Sequence, residues 1–119
     1  MKNHYITSYY FMKILYILLL TITFSLNSFA QNGFQDRASA VSQEMTMVLG
    51  LDKETSKKIY HVQLRRYIEA QKIRTEFKEN PKQMRAELRK LQNRLWGKLT
   101  AILGEEKMRS WSMHKKSKV

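Results

Sequence analysis

The sequence predicts an all-α protein, built as a long antiparallel helical hairpin with a short helix at each end. Three observations predict it. Met84, Leu88, Leu91, Leu95, Leu99 and Ile102 recur in one narrow stripe at helical spacing. Beyond the N-terminal thirty residues, no stretch alternates with period two over a useful length. The single proline follows Asn80 and divides two long helical patterns. Asparagine is a good N-cap, and proline is favoured at the first helical position.

Residues 1–30 have the grammar of a secretory signal peptide. Lys13 precedes an apolar run over residues 14–24, and Ser28-Phe29-Ala30 sets small residues where a signal peptidase cuts. The competing reading is an uncleaved membrane anchor, but the run is short of the roughly 20 residues that span a bilayer, and no stable membrane insertion is expected after cleavage. Cleavage after Ala30 leaves a chain that starts with a loose, polar stretch over residues 31–35.

The first helix is expected over residues 36–49, where Ala38, Val41, Met45, Val48 and Leu49 share a face. Gly50 supplies its stop. Asp52 can cap a second helix that runs to about residue 79. It carries two adjacent apolar stripes: Ile59, Val62, Ala70, Ile73 and Phe77, then Tyr60, Leu64, Tyr67 and Ile68. That face is broader than one partner helix needs. The third helix covers residues 81–103, and Gly97 inside it weakens it by about 1 kcal/mol relative to alanine. A short fourth helix over residues 105–113 places Met108 and Trp111 on one side. Residues 114–119, HKKSKV, read as a basic disordered tail. The two end helices are too short to cover both long ones, so the leftover apolar face calls for a homodimer or a client.

The chain has 22 Lys and Arg against 10 Asp and Glu, a net charge of +12. Loss of Lys2 and Lys13 with the leader still leaves twice as many basic as acidic residues. Inside a cell such a balance points first to nucleic acid. Export removes that partner and directs the charge to acidic proteins, anionic lipid or envelope polysaccharide. There is no cysteine, so no disulfide supports the small core.

Two stretches echo each other: Leu51-Asp52-Lys53-Glu54-Thr55 and Leu103-Gly104-Glu105-Glu106-Lys107. A strong helix start combines a capping box with a hydrophobic staple, and Leu-Thr-x-x-Gln followed by an apolar residue contains both. The first copy keeps a capping oxygen in Asp52, but Thr55 cannot reach back and Ser56 offers Leu51 nothing to staple. The second has no capping side chain at Gly104 and the wrong sign at Lys107, yet Leu103 and Met108 can staple. Both copies mark helix starts.

With these positions in place, the chain resembles the Spy/CpxP family of small periplasmic chaperones and stress regulators, whose signature is a repeated Leu-Thr-x-x-Gln motif. The likeness covers residues 31–113, although neither copy keeps the Thr or the Gln. It implies a cradle-shaped dimer of bent hairpins in the periplasm. Such a dimer holds unfolded or misfolded envelope proteins without ATP, on a basic, partly apolar surface. A regulator docking on the periplasmic domain of a sensor kinase lies within the same family. A metal- or polyanion-binding envelope protein is the reading of a different class.

The residues expected to meet a client are Arg65 and Arg66 on the second helix, and Lys82, Arg85, Arg89 and Trp96 on the third. The last four share a face with Gln92, about 120° from the Leu stripe, and form a basic ridge ending in an aromatic. Arginine is planar and adaptable, and tryptophan adds apolar contact. The competing reading has Trp96 packed beneath an end helix or across a dimer, with the arginines merely solvated. His61, His114 and the methionines are soft ligands of the kind copper or nickel takes. No two of them sit one helical turn apart, and no metal or other cofactor is expected. No cysteine nucleophile, glycine-rich phosphate loop or His-Glu-x-x-His occurs, so no catalytic residue and no enzyme is expected. Glu54–Lys58 and Glu105–Arg109 have the spacing of helical ion pairs.

Overall fold

A computed structural model describes residues 3–118, with the side chains of residues 7–17 and 33–118. The described chain consists of α1 (Asn3–Leu49), α2 (Lys53–Glu76), α3 (Pro81–Leu103) and α4 (Glu105–Ser117), with no strand among the described residues. It divides into two compact units, Met1–Gly33 and Phe34–Val119.

In the first unit, residues 9–12 and 14–17 expose large apolar and aromatic side chains, and Lys13 lies over the Tyr9 ring at 4.7 Å. Among the described residues, no helix is long and apolar enough to cross a membrane. The side chains around the expected cut after Ala30, and the second half of the apolar run, lie outside the described residues.

Helix α1 does not begin at residue 36. Residues 31–35 are helical rather than loose. Their polarity disfavours burial, but nothing there forbids the helical backbone. Gly33 alone weakens a helix by only about 1 kcal/mol, and no proline follows it.

The second unit is built on the mutual packing of α2 and α3. Its core cluster joins Met45 of α1, Ile59 of α2, Leu95 and Leu99 of α3, and Met108 and Trp111 of α4. The predicted stripe of α3 accounts for its buried residues Leu91, Leu95 and Leu99. Met84, Leu88 and Ile102 are half-buried. On α2 the buried set is Ile59, Gln63 and Ala70. Val62, Ile73 and Phe77 of the first stripe remain half-buried. In the second stripe Tyr60, Leu64 and Tyr67 are half-buried, and Ile68 is 40% exposed. Burial is therefore concentrated where α2 begins and α3 ends.

The helix boundaries follow local chemistry. Asp52 caps α2, its carboxylate accepting from the Thr55 N–H at 2.7 Å. Helix α2 stops at Glu76, short of the expected residue 79. The Phe77 N–H still reaches Ile73 O, and the Asn80 N–H closes a turn on Phe77 O. A residue before proline avoids helical backbone, which pulls the break forward. Asn80 then caps α3, accepting from the Gln83 N–H at 3.2 Å, with Pro81 in the first turn.

Helix α4 corrects the expectation of a disordered tail from residue 114, because it continues to Ser117. His114, Lys115 and Lys116 occupy its last turn, where positive charge offsets the helix dipole. The His114 Nε2 lies 3.0 Å from Glu44 on α1, and Lys118 pairs with the same carboxylate.

Candidate functional site

On α3 the ridge residues Lys82, Arg85, Arg89, Gln92 and Trp96 are all exposed. They lie three or four apart, which sets them on neighbouring turns of one face. Trp96 is 41% exposed, so the expectation that it packs away beneath an end helix fails. The core side of α3 is filled by Leu91, Leu95 and Leu99, and Trp96 falls outside it.

Trp96 forms part of the wall of a cavity of about 330 Å³. Leu95, Leu99, Met108 and Trp111 also line it, as does Val41 of α1. Its polar lining is Arg66, Lys115, Lys118, Glu44, Gln63 and Gln92. The Arg66 guanidinium donates to Gln63 Oε1 at 3.3 Å and sits 5.1 Å from the Tyr67 ring centroid. The Trp111 and His114 rings stack at 5.5 Å between centroids.

The structure brings some of the expected client-contact residues together and separates others. Arg66 and Trp96 meet at this cavity. Arg65 instead lines an open recess of about 720 Å³ with Ile68, Lys72 and Lys98. Lys82, Arg85 and Arg89 line neither. Lys115, Lys118 and Glu44 were missed as cavity residues. The only sequence signal for the two lysines was the basic cluster after Met113, which reads equally well as a solvated tail, and Glu44 carried none.

The motif positions are structural. Leu51 and Leu103 pack against the core cluster. Leu51 thus finds a tertiary partner in place of a staple on Ser56, whose hydroxyl instead meets that of Thr46. Leu103 reaches the cluster that holds Met108. Gly104 has φ +86° and ψ 163° and makes no side-chain capping bond. That backbone region is essentially glycine-only, so a threonine could not occupy this cap without a different chain path. The Asp52 carboxyl is held below the usual carboxylate range. The largest cause is the Thr55 backbone N–H, followed by the Thr55 side chain, with Lys107 and Lys58 adding positive charge. Leu51 and Leu103 pack against the same core cluster, so the two echoed stretches, distant in sequence, lie near one another.

Ion pairing differs from expectation. Among the described residues the pairs are Glu87–Lys90, Glu69–Arg94, and Glu44 with His114 and Lys118. Glu54–Lys58 and Glu105–Arg109 do not form. Exposed pairs at helical spacing gain only a few tenths of a kcal/mol and hold long side chains weakly.

No protein-family model, no curated protein and no solved structure matches the chain.

Proposed function

We propose that the protein is an exported, periplasmic, ATP-independent chaperone-like protein that binds unfolded or misfolded envelope proteins. The observation that carries the reading is the exposed ridge Lys82, Arg85, Arg89, Gln92 and Trp96 on α3. Positive charge brings acidic or neutral chains in quickly and reversibly. The indole and the half-buried apolar side chains of α2 then hold exposed hydrophobic segments. In this reading α2 and α3 form a long antiparallel hairpin. Two hairpins pair into a cradle through the apolar surface of α2 around Leu64 and Ile68. The Spy/CpxP resemblance supports both the dimer and the location.

The test is suppression of aggregation of a chemically denatured client by the purified protein, at low and at high salt. Suppression is expected at a few-fold excess, weakened but not abolished by salt. The triple variant Arg85→Ser, Arg89→Ser, Trp96→Ser should lose most of it. No suppression at several-fold excess sinks the reading. Sedimentation showing a well-folded monomer sinks the dimer alone.

A further inference from the structure

We propose that the cavity between Trp96 and Trp111 binds a single-chain fatty carboxylate of medium length. Three features of the cavity select that class. Its volume of about 330 Å³ is at the small end of the roughly 300–1,000 Å³ typical of ligand pockets, which suits one short chain and excludes a two-chain lipid. Its apolar wall is made of leucine, methionine and indole. Methionine adapts readily to the shape of an apolar guest.

The third feature is charge. Arg66, Lys115 and Lys118 line the cavity against one carboxylate, Glu44. Glu44 is already engaged by Lys118 and His114. Arg66 donates only to the neutral Gln63, and among the described residues Lys115 is in no ion pair. One guanidinium and one ammonium are therefore left for an incoming anion, and a carboxylate can take charge-assisted hydrogen bonds from both.

The polar inventory argues against a peptide as the occupant. Each buried amide of a peptide would need a hydrogen-bond partner or lose free energy. Of the two side-chain amides on the lining, Gln63 already donates to the Met45 sulfur and accepts from Arg66, which leaves chiefly Gln92 to meet the several amides of a peptide segment. A hydrocarbon chain asks for no such partners, and its one polar group lies at the cationic rim. The cavity shares Gln92 and Trp96 with the client ridge and is separate from it at Lys82, Arg85 and Arg89, which do not line it.

The test uses the full-length chain, whose only two tryptophans both line the cavity. Intrinsic fluorescence is titrated with decanoate, decanol and decyltrimethylammonium, each kept below its aggregation threshold. Decanoate should give a saturable change. Decanol should bind roughly ten-fold more weakly, the loss expected from a charge-assisted contact, and the cationic amphiphile more weakly still. Arg66→Gln and Lys115→Gln should each weaken decanoate binding several-fold while leaving decanol unchanged. Lys115 is exposed, so its variant folds even if the Arg66 variant is perturbed. Equal binding of decanoate and decanol overturns the anion assignment, as does decanoate binding that neither variant weakens. No saturable response to decanoate overturns the site. Aggregation suppression without decanoate binding removes this inference and leaves the ridge reading standing.

Discussion

Gln63 of α2 donates its side-chain amide to the sulfur of Met45 on α1, across 3.6 Å, and both residues are almost fully buried. The bond ties the end of α1 to α2 beside a core cluster of apolar side chains, and the Thr46–Ser56 hydroxyl contact is a second polar link between the same two helices. The Gln63 oxygen accepts from Arg66, so the same side chain also orients the guanidinium at the cavity.

These two residues should respond differently to substitution. Met45→Ala removes a fully buried side chain from the centre of the core cluster and should cost about 2–5 kcal/mol. Gln63→Leu replaces a polar group by an apolar one of similar size. It should cost only about 0.5–1.5 kcal/mol, because the weak sulfur acceptor loses little and the half-buried Arg66 guanidinium, left without the Gln63 oxygen, can turn to water. Denaturant unfolding followed by circular dichroism measures both. A Gln63→Leu cost as large as that of Met45→Ala would show that the polar link, rather than packing, holds α1.

Asp52 gives a pH dependence with a definite sign. Its carboxyl titrates below its ordinary value of 3.8 in the folded chain. Its contribution to stability is therefore fully present above the unfolded value and is lost as pH falls through the folded one. Acid should loosen the start of α2 below about pH 4. Asp52→Asn keeps a good N-cap without the titration, so its thermal midpoint should fall less steeply on acidification. Parallel acid limbs for the two proteins would refute this account.

The glycines of α3 and its exit should behave oppositely. Gly104 sits at φ +86°, and a Cβ there would meet nothing within 4 Å. The cost of Gly104→Ala is thus backbone strain alone, about 1–3 kcal/mol. Gly97 lies within α3, also with nothing within 4 Å of an added Cβ. Gly97→Ala should raise stability by about 1 kcal/mol. Thermal unfolding of the two single variants checks the opposite signs.

The helices of the second unit were legible because their signals are local. Asp52, Asn80-Pro81 and Gly104 each act within a few residues of themselves, and α2 to α4 start where those residues place them. The Leu stripe of α3 reported its buried face for the same reason. What escaped depends on distant partners. Gln63 lies on the Ile59–Ala70 stripe at helical spacing, but glutamine reads as solvent-facing unless Met45 and Arg66 are known to meet it. The continuation of α4 to Ser117 draws on Glu44, some seventy residues away, which no window along the tail contains. Trp96 illustrates the limit at the candidate site. Its position on the wheel was readable, whereas its exposure depended on how α1 and α4 filled the core beside it.

The uneven burial along α2 and α3 gives the second unit a gradient of local stability. Near Ile59 and Leu99 any opening must expose the whole core cluster, so fluctuations there cost nearly as much as global unfolding. Towards Phe77 and Met84 only half-buried side chains and an exposed turn resist separation. Such regions open at low free energy and sample many arrangements while the rest stays folded. Lys82 and Arg85, at the start of the basic ridge, ride on that loose end, and Trp96 is anchored near the tight one. A surface graded in this way can fit its flexible part to chains of different shape while its aromatic end stays fixed in place.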